Sequence, residues 1–182
     1  MRKSIEALLS LANQGDAEAQ KQLGDRYLDD PNIARDEEEA FRWYKAAAKQ
    51  GLASAQISLG DCYMDGRGVE DSGSLAFKWY LKGAKQGVAE AQNLVGDHYL
   101  WGEEGVDQDG AEALKWHRAA AEGGSARAIM ALGDYYWSGY QVPLDKAAGR
   151  ALLKYSASLG WASAEQALSK GNDYVPLFMS RD

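Results

Sequence analysis

The sequence contains one cysteine, two histidines and three prolines in 182 residues. Because Cys62 has no second cysteine to pair with, an internal disulfide is excluded and a cytoplasmic location is the default expectation. Neither His98 nor His117 has a histidine, cysteine or carboxylate four residues further on, the spacing that would place two metal ligands on one helical face. The sequence therefore predicts no metal site and no cofactor.

Long apolar runs and excess positive charge are also missing. No segment approaches the roughly 18 consecutive apolar residues that a membrane-spanning helix needs. The first residues, MRKSIEALLS, are basic and contain leucines, but Glu6 interrupts them, so we interpret them as mature protein rather than as a signal peptide. With 20 Lys and Arg against 27 Asp and Glu, the net charge is −7. This charge disfavours nucleic acids and anionic membranes as partners and favours a basic partner.

Motifs that place catalytic groups are missing as well. The sequence has no Ser-x-x-Lys, no Gly-Lys pair of a phosphate-binding loop and no His-Glu-x-x-His. Cys62 stands where the other repeats have Arg26, His98 and Tyr135, which favours a small side chain at a variable position over a nucleophile. We expect no enzymatic activity.

What the sequence does contain is one segment that recurs four times. It reads AEAQKQLGDRYLD from Ala17, ASAQISLGDCYMD from Ala53, AEAQNLVGDHYLW from Ala89 and ARAIMALGDYYWS from Ala126, at spacings of 36, 36 and 37 residues. A fixed period of this length is typical of a solenoid, in which the units stack because none can bury its apolar face alone.

Each repeat is predicted to contain two helices. In the first helix, Ala19, Leu23 and Tyr27 are spaced by four residues on one face, and the other repeats follow the same pattern. A glycine in the middle of this helix costs about 1 kcal/mol relative to alanine, so a packing reason is expected for it. These glycines are Gly24, Gly60, Gly96 and Gly133.

The second helix is predicted from its ends and its aromatic residues. It begins after a polar N-cap and ends at a glycine. The N-caps are Asp36, Ser72, Asp109 and Asp145, and the terminal glycines are Gly51, Gly87, Gly124 and Gly160. Three tryptophans in register, Trp43, Trp79 and Trp116, are predicted to lie in the core, and Leu152 replaces them in the fourth repeat. His117 stands where Tyr44 and Tyr80 stand, so packing accounts for it.

The pattern A-x-A-Q-x-x-L-G-D-x-Y, then G-x-G-V, then A-F-x-W-Y-x-x-A-A-x-Q-G resembles the Sel1-like repeat, a relative of the tetratricopeptide repeat. The resemblance covers nearly the whole chain and implies an all-α fold, a right-handed α-solenoid of antiparallel helix pairs. It also implies that the first helices line a concave surface used for protein contacts, and that the repeats carry no chemistry of their own. Some secreted members have a cysteine pair in each repeat, and its absence here favours the cytoplasmic reading.

We expect a single repeat domain over 1–182. Its parts are an N-terminal half-repeat (1–16), repeats 1 to 4 (17–52, 53–88, 89–125 and 126–161), and a C-terminal half-repeat with a capping tail (162–182). The apolar tail, DYVPLFMSRD, is expected to cover the last helix, since terminal repeats are usually modified to close an open core.

A partner-binding surface is predicted on the first helices, two residues away from the core positions. There an aspartate recurs in every repeat beside an apolar residue, and such a surface could select a basic segment. The predicted binding residues are Lys21, Asp25, Leu28, Ile57, Asp61, Met64, Asn93, Asp97, Leu100, Trp101, Met130, Asp134 and Trp137. The alternative is that the aspartates are repeat consensus and that the apolar residues merely pack between repeats.

Three functions remain open from the sequence. The first is a non-enzymatic scaffold or adaptor that binds a protein or peptide on the concave face. The second is a dedicated immunity or chaperone-type protein that neutralises or escorts a bacterial toxin or effector. The third is a self-assembling structural module. The expected oligomeric state is a monomer or a weak homodimer.

Overall fold

The computed structural model describes residues 4–103 and 105–176, and in these ranges it contains ten α-helices, one 3-10 turn and no strand. The helices are α1 (Ile5–Asn13), α2 (Ala17–Asp29), α3 (Glu37–Lys49), α4 (Ala53–Asp65), α5 (Gly73–Lys85), α6 (Ala89–Trp101), α7 (Gly110–Glu122), α8 (Ala126–Ser138), α9 (Lys146–Ser158) and α10 (Ala162–Ser169), followed by the 3-10 turn Gly171–Asp173. None of the helices found in these ranges is long and apolar enough to cross a bilayer.

The helices belong to two compact units, of which the first ends at Gln86 and the second begins at Gly87. In the first unit, α1 packs against α2, α2 against α3, α3 against α4 and α4 against α5. In the second unit, α6 to α10 pack in the same sequential order. The expectation that both units form one continuous domain stays a prediction.

The predicted ends of the second helices are confirmed. The side chains of Asp36, Ser72, Asp109 and Asp145 each accept a hydrogen bond from a backbone N–H in the first turn of their helix. At the other end, Gly51 has φ +94° and Gly87 has φ +83°. This left-handed conformation suits a residue without a side chain and closes the helix.

In the first three repeats the mid-helix glycine makes room for an aromatic ring of the second helix, whereas Gly133 in the fourth repeat faces Leu153 and the carbonyl oxygen of Gly149. A Cβ atom built at Gly60 would overlap the ring of Tyr80, and one built at Gly24 would overlap the ring of Tyr44. The first and second helices of each repeat therefore approach each other at the glycine, which is the packing reason expected from the sequence.

Buried glutamines connect successive repeats inside the first unit. Gln20 donates from Nε2 to the carbonyl oxygen of Ala12 at 3.0 Å and accepts from Gln50 Nε2 at 2.7 Å. One repeat later, Gln56 donates from Nε2 to the carbonyl oxygen of Ala48 in the preceding repeat at 3.3 Å and accepts from Gln86 Nε2 at 2.8 Å. Because buried amide groups are costly without partners, these bonds fix how one hairpin stacks on the next.

The three tryptophans were predicted to lie in the core, but they are less buried than that prediction requires. Trp43, Trp79 and Trp116 are all half-buried. Lys82 Nζ lies 3.6 Å from the centroid of the Trp79 ring, so this ring stacks under a cation at the surface. The buried aromatic position is the next residue along the helix, which is Tyr44, Tyr80 or His117, each less than 5% exposed.

Candidate protein-binding site

The aspartate column consists of Asp25, Asp61, Asp97 and Asp134, and in the first unit it is bound by tyrosines of the second helices. Tyr44 donates from its hydroxyl to Asp25 Oδ1 at 2.9 Å, and Tyr80 donates to Asp61 Oδ1 at 2.8 Å. The ring that packs over each mid-helix glycine therefore also reaches the aspartate that follows the glycine. These carboxylates serve in the packing of their own repeats.

In the third repeat a histidine takes the place of the tyrosine. His117 is fully buried, and its Nε2 lies 3.1 Å from Asp97 Oδ1 while its Nδ1 lies 3.2 Å from the hydroxyl of Tyr135. Because a carboxylate only accepts, Nε2 is the atom that donates to Asp97. Asp97 Oδ2 also accepts from Asn93 Nδ2 at 3.1 Å and pairs with Arg127.

In the fourth repeat the aspartate is bound by the chain's last described segment. Leu153 occupies the position of Tyr44 and Tyr80 and has no hydroxyl to offer. Tyr174, which follows the 3-10 turn, donates instead to Asp134 Oδ1 at 2.7 Å. The same residue accepts from Trp137 Nε1 through its carbonyl oxygen at 3.1 Å. The segment 174–176 thus supplies the missing partner of the fourth repeat.

Residues 174–176 are the part of the predicted capping tail that the structure describes. Tyr174 is 6% exposed and belongs to a buried cluster that contains Met130, Trp137, Leu153 and residues of α10. Tail residues 177–182 lie outside the described residues. Tyr174 therefore packs against α8 as well as against the last helix. The rest of the predicted cover stays a prediction.

The environment raises the pKa of several tyrosines above the ordinary value. For Tyr44 and Tyr174 burial is the main cause, and the carboxylates of Asp25 and Asp134 add to it. Burial also raises the pKa of Tyr135. In each case the neutral phenol is the form that the folded protein favours.

The structure divides the predicted binding residues into a buried and a half-buried set. Six of them are less than 10% exposed, and these are Ile57, Asn93, Leu100, Met130, Asp134 and Trp137. The remaining seven are half-buried, and these are Lys21, Asp25, Leu28, Asp61, Met64, Asp97 and Trp101. Their role in binding stays a prediction, and burial places the first six in the packing of the helices.

Two further residues from the sequence have structural explanations. Cys62 is 1% exposed, and burial raises the pKa of its thiol to about 11. His98 is 3% exposed, and burial lowers its pKa although Glu103 Oε2 lies 3.2 Å from its Nδ1. A buried thiol that stays protonated agrees with the interpretation of Cys62 as a packing residue.

An open cavity of about 490 Å³ lies in the second unit, beside the N-terminal ends of α6 and α8. Its volume is in the range of small-ligand pockets. The lining residues are Ala89, Glu90, Asn93, Leu94, Gly123, Gly124, Ser125, Ala126, Arg127 and Trp161. Asn93 is the one lining residue that belongs to the binding surface predicted from the sequence.

The residues that were missed left a weak signal in the repeat register. Trp161 stands at the N-cap position of α10, which is occupied by Asp16 in α2 and by Ser125 in α8. A tryptophan makes no side-chain cap there. Leu52 and Val88 hold the same position in α4 and α6 and make no side-chain cap either, so Trp161 differs from them only in the size of its side chain.

Ten helices in repeating pairs define a helical-repeat protein, and the similarities to known proteins agree. The Sel1 repeat profile matches residues 17–52, 53–88, 89–125 and 126–161. The chain therefore belongs to the Sel1 repeat family. Both the predicted family and the predicted all-α repeat fold are confirmed, and Sel1 repeats generally mediate contacts between proteins.

Solved structures with the same fold come from several bacteria. A protective antigen of uropathogenic Escherichia coli with an SLR fold superposes with a TM-score of 0.84 at 36% identity, over 90% of this chain and 35% of that chain. This chain thus spans about a third of that antigen's length. A Sel1 repeat protein from Oxalobacter formigenes gives a TM-score of 0.80 at 32% identity, over 94% of this chain and 71% of that chain.

An immunity protein from Pseudomonas aeruginosa shares the fold at lower similarity. Its TM-score is 0.61 at 24% identity, over 85% of this chain and 58% of that chain. No curated protein sequence matches the chain.

Replacing Tyr174 with phenylalanine tests the role of the tail. We expect Tyr174→Phe to lower the free energy of unfolding by about 1–2 kcal/mol, because the buried Asp134 carboxylate loses a hydrogen-bond donor. Urea unfolding followed by circular dichroism measures the change. The matched control is Tyr155→Phe, since Tyr155 is 56% exposed, and it should change the free energy by less than about 0.5 kcal/mol. Equal effects of the two variants would contradict the assignment.

The buried tyrosines also predict a loss of stability at alkaline pH. Because the folded state raises the pKa of Tyr44, Tyr135 and Tyr174, it holds their protons more tightly than the unfolded chain does. Their contribution to stability is complete below about pH 10, the ordinary tyrosine value, and falls as the pH rises above it. Urea unfolding between about pH 9 and pH 11 should show a steeper decline for the native protein than for Tyr174→Phe. Parallel declines would sink this prediction.

Proposed function

We propose that this chain is a non-enzymatic binding protein that holds a segment of a partner protein at the cavity of its second unit. The observation that carries the proposal is the cavity itself, which combines apolar walls with a small number of polar groups. Leu94 and Trp161 are half-buried at its wall, while Glu90 and Arg127 are exposed beside them. Such a mixture is typical of protein surfaces that bind a segment of another protein.

The packing of the predicted binding residues narrows where a partner can make contact. The carboxylates of the aspartate column are hydrogen-bonded to Tyr44, Tyr80, His117 and Tyr174. Trp137 packs against Tyr174. Side chains at the beginning of the first helices are therefore more accessible to a partner than the aspartate column and Trp137 are. The family relationship supports binding to a protein, because Sel1 repeats generally bind proteins.

The narrower functions that the sequence left open stay predictions. The two more similar structures are a protective antigen and a Sel1 repeat protein, and the immunity protein at 24% identity shares the fold alone, so none of them assigns this chain a role in neutralising or escorting a toxin or effector. Self-assembly would use exposed apolar residues such as Tyr155 and Leu159, which are 56% and 47% exposed on and just after α9. Light scattering over a range of concentrations separates a monomer from such an assembly.

Site-specific photo-crosslinking in native cells tests the proposal. A benzophenone amino acid is placed at position 90, on the rim of the cavity, and as a control at position 165, which is exposed on α10 and is not one of the lining residues. We expect one protein to cross-link from position 90 and not from position 165. The partner is then identified by mass spectrometry, purified and titrated against the native chain by calorimetry.

Variants of the chain complete this test. Leu94→Asp should weaken binding of the purified partner about tenfold or more, because it puts a charge on the apolar wall. Leu159→Asp, at an exposed position of the same unit, should leave binding unchanged, and circular dichroism confirms that both variants fold. If no protein prefers position 90, or if Leu94→Asp binds like the native chain, the proposed function is wrong.

A further inference from the structure

Helix α5 of the first unit carries an exposed basic face in an otherwise acidic chain. Residues 72–89 contain no Asp or Glu, whereas Lys78, Lys82 and Lys85 lie in α5 and are all exposed. Their spacings of four and three residues place the three ammonium groups on one side of the helix. The net charge of −7 describes the whole chain, and the surface of α5 is a local exception to it.

In the corresponding helices α3 and α7, a glutamate neutralises the cation that lies one turn further on. Arg42 pairs with Glu39 at 3.0 Å, and Lys115 pairs with Glu112 at 3.0 Å. The repeat register places Leu75 in α5 where the other two helices have these glutamates. The cation that follows Leu75 by three residues therefore lacks the partner that its counterparts have.

The lysines of α5 also lack a carboxylate partner on other elements. Within the part of the chain that the structure describes, none of the three forms an ion pair. The last turn of a helix favours cations, because its carbonyl groups carry partial negative charge, and this accounts for Lys82 and Lys85. It accounts neither for Lys78, one turn earlier, nor for the exposed leucine.

Two apolar side chains border the basic face. Leu75 is 37% exposed, and Trp79, four residues further on, is half-buried. Lys82 Nζ lies 3.6 Å from the centroid of the Trp79 ring, so the ring and the ammonium group are part of the same surface. A ligand that covers this surface must supply negative charge and an apolar contact together.

We propose that the exposed face of α5 binds an acidic amphipathic helix of a partner protein. Carboxylates spaced by four and three residues on such a helix have the same rise as the lysines, about 10 Å from Lys78 to Lys85, and pair with them one to one. An apolar residue one turn away from these carboxylates packs against Leu75. The surface belongs to the first unit, so this inference goes beyond the proposed function and does not rest on it.

Nucleic acids and anionic membranes offer the same kind of charge but fit less well. Both are extended polyanions, and the net charge of −7 repels them beyond the immediate surface of α5. A short acidic helix interacts mainly with the lysines that it contacts, because salt screens the more distant charges. An apolar contact beside the cations also matches an amphipathic helix better than it matches a phosphate backbone.

Nuclear magnetic resonance titration of the native, isotope-labelled chain tests the inference. The probe is a capped, alanine-based peptide of about 15 residues, near the length at which isolated helices form. It carries glutamates with spacings of four and three residues and a leucine three residues before the first of them. We expect saturable shifts of the backbone amides of α5. A peptide with glutamines in place of the glutamates should bind about tenfold more weakly, because it has no charge to pair with the lysines.

Three further probes of the native chain decide whether spacing and ligand class matter. They are a scrambled peptide of the same composition, with its glutamates on different sides of the helix, a single-stranded oligonucleotide, and phosphatidylserine vesicles. All three should bind more weakly than the probe peptide. The inference is overturned if the probe gives no saturable shifts at α5, if the scrambled or glutamine peptide binds equally well, or if the oligonucleotide or the vesicles bind more tightly.

Variants of two exposed residues give a matched comparison. Leu75→Glu restores the glutamate of the neighbouring repeats and should weaken binding of the probe peptide about tenfold, because it neutralises Lys78 and removes the apolar contact. Ser54→Glu adds the same charge at an exposed position of α4 and should leave the affinity unchanged. Circular dichroism checks that both variants fold. Equal affinities of the two variants would refute the role of this face.

The inference and the proposed function fail separately. If a partner cross-links from position 90 while the probe peptide does not bind α5, the function stands and the inference falls. If the probe peptide binds α5 while no partner cross-links from position 90, the inference stands and the proposed function falls.

Discussion

In every repeat, a carboxylate on the first helix meets a polar hydrogen carried by an aromatic ring, and the rest of the structure depends on this contact. In the first unit the tyrosine ring lies over Gly24 or Gly60, where the absence of a side chain lets the ring come close. The tyrosine hydroxyl then lies 2.9 Å from Asp25 in the first repeat and 2.8 Å from Asp61 in the second. The contact fixes the distance between the two helices and their rotation about their axes. The next repeat then stacks on the surface that this pair of helices forms.

The same requirement explains both the substitutions and the tail. Where histidine replaces tyrosine, His117 keeps the bond to Asp97 and gains Tyr135 as a second partner. In the fourth repeat Leu153 has no hydrogen-bond donor to offer. The hydroxyl of Tyr174, 40 residues after Asp134 in the chain, donates to the carboxylate instead. Consequently the carboxylates of the aspartate column are largely committed to hydrogen bonds within the fold.

The repeat period predicted the family, the helix pairs and the helix ends, because glycines, caps and alanines act locally and recur in register. It did not predict which aromatic of the second helix is buried, since Trp79 and Tyr80 are adjacent and periodicity alone allows either to face the core. It also could not pair Asp134 with Tyr174, a contact that depends on how the tail folds back. Asn93 was selected from its column, but Trp161 and Arg127 were missed because a cavity between helix ends is a property of the fold and not of one helix.

A double-mutant cycle between Asp61 and Tyr80 tests the central claim most directly. The free energy of unfolding is measured for the native protein, Asp61→Ala, Tyr80→Phe and the double variant. If the carboxylate and the hydroxyl stabilise each other as described, the two losses will not add, and the coupling energy will be about 1.5 kcal/mol. Losses that add to within about 0.3 kcal/mol would show that the two groups do not depend on each other, and the account of how the repeats are held together would be contradicted.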